Sequence, residues 1–139
     1  ISDCLVGSEM CIRDREQHHL DTFENLINEY QTRPSVLTPL WNGAGFMLGA
    51  VTAAMGPKAA MACTIAVEEV IGEHYREQAE TLDDSEAELR ATLRQFRDEE
   101  LEHRDTAIDH DGEDAVGYPV LRQIISTGCR TAIKLAEKI

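Results

Sequence analysis

Over 16–31, 85–109 and 116–138 apolar side chains return every third or fourth position, and the chain is punctuated by Arg33-Pro34, Gly56-Pro57, Asp83-Asp84 and His110-Asp111-Gly112. That spacing lines one face of a helix, whereas a half-buried strand needs strict alternation, which no segment shows. The pattern predicts helices over 16–31, 34–55, 58–82, 85–109 and 116–138. The residue before a proline avoids the α region, so Arg33-Pro34 ends the first. Gly56-Pro57 is a stop followed by a start, because Gly suits the position after a helix and Pro its first turn. Ser85 and Glu88 have the spacing of a capping box for the fourth helix. In the last helix Leu121, Ile124, Ile125, Gly128, Ala132 and Leu135 are expected on one inward face. The fold class is therefore all-α, a helical bundle.

Charge and cysteine usage narrow the function classes. Asp and Glu number 26 against 13 Lys and Arg, a net charge of -13. Non-specific nucleic-acid binding needs a basic face and is not expected. The charge is unevenly spread, since no charged residue occurs from Pro34 to Pro57. That run has the length of a membrane span, but Pro39, Asn42, Gly43, Gly45 and Gly49 interrupt it, so a kinked helix that touches a membrane surface or a core is expected instead. An exposed apolar patch is expected on it, drawn from Leu37, Leu40, Trp41, Phe46, Met47 and Leu48, with Arg33 and Lys58 as flanking cations able to meet anionic lipid. Residues 1–15, ISDCLVGSEMCIRDR, lack the period of the rest. CLVGSEMCIRD matches the read-through of a transposase adaptor used in sequencing libraries. The expectation is that 1–15 are not native and that 16–139 form a truncated domain, without its first helix. Cys4 and Cys11 then drop out, leaving Cys63 and Cys129 as reduced residues in apolar helices.

Two Glu-x-x-His pairs carry the chemistry, Glu16 with His19 and Glu100 with His103. A spacing of three sets the side chains about 60° apart on one helical face, so both reach one metal ion. In so acidic a chain the spacing also arises by chance on solvated faces, so context decides. Glu100 and His103 fall in line with Leu89, Leu93, Phe96 and Ala107; Glu16 and His19 fall in line with Phe23, Leu26 and Ile27. Carboxylates and imidazoles facing a core are costly unless paired or bound to metal. Glu68 is the inward member of Glu68-Glu69, because it shares a face with Thr64, Ile65, Ile71, Gly72 and Tyr75, while Glu69 shares one with Glu73, Arg76 and Glu80.

The segments RPSVLTPLWNGAGFMLGA, AAMACTIAVEEVIGEHYREQ, FRDEELEHRDTAIDHD and LRQIISTGCRTAIKLAEKI, in this order, resemble the demethoxyubiquinone hydroxylase family of ubiquinone biosynthesis. The resemblance covers residues 16–139. It implies a ferritin-like bundle holding two iron ions bridged by carboxylates, with an apolar helical hairpin and a C-terminal helix. It also implies hydroxylation by O₂ of a polyprenylated methoxybenzoquinol ring, with NADH or the quinol as electron source. Carried over by position, Glu16, His19, Glu68, Glu100 and His103 match five of six ligands; the sixth, a Glu, has no counterpart, which puts iron binding by this chain in question. His74 and Tyr75 match a pair placed near the metals; for Tyr75, proton or electron relay and plain core packing are both open. The resemblance further implies a peripheral protein of the inner membrane, touching lipid through residues 34–57, with partner proteins of the same pathway. Two other readings share parts of the pattern: a ferritin-like iron-storage or peroxide-scavenging protein, and a metal-free helical module that binds quinone at a membrane.

Overall fold

The computed structural model describes residues 8–138, with side chains from residue 12 onward. The burial of Cys4 and Cys11 lies outside the described residues. The described residues fall into two compact units that divide between Val36 and Leu37. In the first, α1 runs Ser8–Glu29. It starts eight residues before Glu16, so the helix continues through a stretch in which the sequence shows no period. It closes with Gln31 in the left-handed region (φ 49°) and the Thr32 N–H donating to the Ile27 carbonyl at 3.0 Å, a capping motif usually built on Gly or Asn. The chain thus leaves the helix before Arg33-Pro34. Phe23, Leu26 and Ile27 are half-buried as expected, whereas Leu20 and Tyr30 are exposed.

The second unit holds four helices, α2 (Thr38–Ala54), α3 (Pro57–Thr81), α4 (Ala87–Asp109) and α5 (Tyr118–Ala136). Short 3-10 turns at Asp84–Glu86 and Gly112–Asp114 bracket α4. Among the described residues there is no strand, and the class is an all-α, ferritin-like bundle. α3 is the central element: α2, α4 and α5 all pack on it. Small residues permit this, since Ala59, Ala62, Cys63, Ala66, Gly72 and Ala79 are all buried along it. Cys63, Ala66 and Ile125 form one core cluster, flanked by Leu48 from α2 and Leu121 and Cys129 from α5.

The punctuation follows the sequence with two corrections. Gly56, at φ 115°, makes the corner before Pro57, and only glycine adopts that backbone readily. Pro39 stands in the first turn of α2 rather than its interior, where its missing N–H costs nothing, so it gives no reason for a kink. The Ser85–Glu88 capping box does not form: Ser85 sits in a 3-10 turn, and α4 starts at Ala87 with no side-chain cap. Arg90 reaches back instead, donating to the Leu82 carbonyl and to Asp84.

α2 keeps only Thr52 buried. Its hydroxyl donates back to the Leu48 carbonyl at 2.9 Å. Leu40, Phe46, Met47, Val51 and Met55 are exposed, Phe46 by 75%. Leu37, Trp41 and Leu48, expected in the same patch, are half-buried, and Leu48 joins the core. No helix among the described residues is long and apolar enough to cross a membrane. The inward face of α5 also differs from expectation. Ile125 and Ser126 are buried and Leu121 and Cys129 half-buried, but Ile124 is 65% exposed and Gly128 and Leu135 are exposed too.

Candidate metal centre

α3 and α4 face each other along a stripe that the heptad-like spacing dictates. On α4 the buried residues are Leu93, Phe96, Glu100, His103 and Ala107. On α3, Ile65, Glu68, Gly72 and Ala79 recur on the facing side. Glu100 and His103 are only 1% and 2% exposed, and Glu68 is 7%. Each offers a ligand atom, and the three atoms lie within 4.8 Å of one another. His103 Nδ1 and Glu100 Oε2 are 3.3 Å apart. Two cis donors at roughly 2.1 Å from a first-row metal are separated by about 3.0 Å, and trans donors by about 4.2 Å. The spread, up to 4.8 Å, is slightly wider than one ion spans, so the side chains would close by a few tenths of an ångström to share it.

The donor chemistry also fits. Two carboxylates and an imidazole suit a divalent first-row metal that accepts mixed oxygen and nitrogen ligands. Two anionic groups buried this close repel each other, and a cation between them removes that repulsion. Phe96, Ile65 and Leu93 are buried on the same two helices.

Within α1, Glu16 and His19 form a pair of their own. His19 Nδ1 is 3.9 Å from Glu16 Oε1, with His19 buried and Glu16 exposed. Glu68 is the inward member of its pair as expected, while Glu69 turns outward and accepts from Arg122 of α5, at 2.8 Å from Nε and 2.6 Å from Nη2. His74 and Tyr75 part company. Tyr75 packs on Phe96 with ring centroids 6.3 Å apart. His74 faces α5, its Nδ1 3.9 Å from Glu137.

Cys63 and Cys129 are free thiols. Burial pushes both thiols above their usual range, and the negative Glu68 adds to that in each case. The feature missed in the sequence is a row of arginines along the seam between α3 and α4. Arg94, Arg97 and Arg104 share one face of α4 at helical spacing, a signal masked by the acidic residues that alternate with them.

An all-α chain that gathers two carboxylates and a histidine between facing helices defines a helical protein with a cluster able to hold a metal ion. The family model for "Ubiquinone biosynthesis protein COQ7" matches residues 8–136, and the chain belongs to that family. It is 50% identical over 129 residues to the mouse "NADPH-dependent 3-demethoxyubiquinone 3-hydroxylase, mitochondrial", covering 90% of this chain and 59% of that protein. To the "3-demethoxyubiquinol 3-hydroxylase" of Rhodospirillum rubrum it is 47% identical over 125 residues, 90% of this chain and 59% of the relative. To the yeast "5-demethoxyubiquinone hydroxylase, mitochondrial" it is 48% identical over 143 aligned positions, 92% and 61%. The chain thus spans about three-fifths of the length of these relatives.

Proposed function

We propose that this chain is part of a di-iron hydroxylase that uses O₂ to place a hydroxyl group on the ring of a polyprenylated methoxybenzoquinol in ubiquinone biosynthesis. The observation that carries the reading is the convergence of Glu68, Glu100 and His103 within 4.8 Å, in a chain of this family. Glu16 and His19, the second Glu-x-x-His pair, are assigned as further ligands on the sequence pattern. Family membership favours this over iron storage and over metal-free quinone binding.

Bound iron supplies the electrons and open coordination positions that O₂ activation needs. The protein's own groups do the rest. Glu100 and His103, one turn apart on a rigid helix, hold their donor atoms in fixed relative positions. Glu68 and Glu100 are themselves buried from bulk water, which strengthens every charge interaction among them. Tyr75, resting on Phe96, is assigned to hold or move a proton at Oη; His74 is assigned to the same relay from the side of α5. The reductant is a nicotinamide cofactor or the quinol itself.

The exposed apolar side chains of α2 are assigned to the membrane surface where a polyprenyl substrate resides, in the inner membrane and alongside other proteins of the pathway. A contiguous apolar patch of this kind marks a contact site.

The test is anaerobic loading of the purified chain with ferrous ion, followed by O₂, a reductant and a short-tailed demethoxyubiquinol. Iron bound in proportion to protein, lost in Glu68→Gln and His103→Ala, and a product one oxygen heavier support the reading. Iron content that ignores both substitutions overturns it. Leu40→Asp with Phe46→Asp weakens vesicle binding while iron content holds; iron lost along with vesicle binding makes these residues core and removes the membrane assignment.

A further inference from the structure

The seam between α3 and α4 carries a groove made of two adjoining hollows, neither of which is lined by Glu68, Glu100 or His103. One, of about 260 Å³, runs past Gly72 and Leu101; the other, of about 360 Å³, is floored by the buried Ala79. Arg76 and Arg97 line both, Arg94 lines the second and Arg104 the first. Four guanidinium groups thus line one concave strip of a chain whose net charge is -13.

Three carboxylates face the same strip, and each is already engaged. Glu73 and Glu80 are both taken by Arg76, and Glu69 is held by Arg122 from α5. The α4 arginines are differently placed. Among the described residues Arg97 and Arg104 pair with the sequence neighbours Asp98 and Asp105, both exposed. Such solvent-facing pairs are weak and readily exchanged. Arg94 makes no ion pair among the described residues. Three forks at positions i, i+3 and i+10 of one helix therefore remain available to an external anion. Guanidinium is the side chain that matches phosphate oxygens two at a time.

We propose that this groove is an anion site for a phosphate-bearing ligand, held by Arg94 and Arg97 with Arg104 extending the strip. The site is separate from the metal cluster and does not depend on the reading given for it.

The probe is inorganic pyrophosphate, titrated at low salt into the ¹⁵N-labelled chain and followed by amide and arginine side-chain NMR. Saturable shifts confined to α3 from Arg76 to Glu80 and α4 from Arg94 to Arg104 are expected. Arg94→Gln with Arg97→Gln weakens binding by at least about tenfold, at an unchanged unfolding temperature. Arg130→Gln, which removes the same kind of charge from α5, leaves it within about twofold. Shifts that do not saturate, or equal weakening by Arg130→Gln, overturn the proposal by reducing the effect to general electrostatics. Competition then separates the sources. Displacement of pyrophosphate by phosphatidylglycerol vesicles and not by phosphatidylcholine vesicles assigns the site to a lipid headgroup; displacement by a nucleoside monophosphate and not by vesicles assigns it to a soluble phosphate ester. Displacement by neither overturns the claim that a phosphate ester is the ligand.

Discussion

Gly112 gives the sharpest test of the packing described above. It is buried in the turn after α4. A Cβ built on it would stand 2.6 Å from Ile65 Cδ1, 2.8 Å from the Ala107 carbonyl oxygen and 3.0 Å from the Met61 carbonyl carbon. The Ile65 methyl can swing aside, but the other two atoms are backbone of α4 and α3 and cannot move without shifting a helix. Overpacking of this kind costs about 1–3 kcal/mol. Restricting the unfolded chain returns roughly 0.4–1 kcal/mol, so Gly112→Ala should lose roughly 1–2 kcal/mol. For a domain of this size that lowers Tm by about 3–7 °C. Gly117 is the control: its φ is 73° and nothing lies within 4 Å of a Cβ there. Its alanine variant loses about 1 kcal/mol for a different reason, backbone strain in the left-handed region. Asparagine separates the two causes, because it tolerates that region. Gly117→Asn should recover most of the loss, and Gly112→Asn should be worse than Gly112→Ala. Thermal unfolding followed by circular dichroism reads all four. If Gly112→Asn unfolds no lower than Gly117→Asn, the steric argument is wrong.

Three further outcomes follow from the same geometry. Ile124→Asp should shift Tm by no more than a degree or two, whereas Ile125→Asp, on the adjacent but buried position, should unfold the chain or nearly so; equal effects would mean the face of α5 is misassigned. Glu100→Gln should raise the Tm of the metal-free chain by removing one of two adjacent buried charges, an effect of about 1 kcal/mol or more, while lowering its affinity for ferrous or cobalt ion in a direct titration; a fall in metal-free Tm would show that the carboxylate stabilises the fold without metal. Cys63 and Cys129 should resist alkylation in the native state at neutral pH, because raised thiol pKa values suppress the reactive thiolate; their labelling, read by peptide mass spectrometry, should climb only above the ordinary thiol range, and fast labelling at pH 7 would contradict their burial.

The stripe Leu93, Phe96, Glu100, His103 and Ala107 was legible because most other positions of α4 are polar, Leu101 and Ile108 excepted, so one face stands out. Glu68 was legible on α3 for another reason: of the pair Glu68-Glu69, only Glu69 shares its face with the charged Glu73, Arg76 and Glu80. α5 was not, because it carries apolar residues on more than one face. Ile124 and Ile125 compete for the inward direction, and periodicity alone gives no ground to prefer Ile125 together with Ser126 and Cys129. The capping box failed because the spacing of Ser85 and Glu88 says nothing of Arg90, which satisfies the preceding turn from outside it. The arginine groove was hidden because it belongs to two helices, and each helix on its own reads as an ordinary solvated face.

The membrane assignment proposed for α2 has a consequence at Lys58. It stands beside the exposed apolar helix as the single charge between Pro34 and Val67. Its ammonium is held 3.5 Å from Asp114 and 3.7 Å from Asp111, so its field is offset by two carboxylates of the turn after α4. Attraction of this corner to anionic headgroups is thereby reduced, and under the membrane assignment proposed above adsorption through Leu40, Phe46, Met47, Val51 and Met55 runs chiefly on partitioning. Partitioning leaves its own thermodynamic fingerprint: a negative heat-capacity change, indifference to ionic strength at moderate salt, and adhesion that weakens on cooling. A chain bound in this way is gathered by fluid, loosely packed lipid rather than by charged lipid, and chilling rather than brine should lift it off.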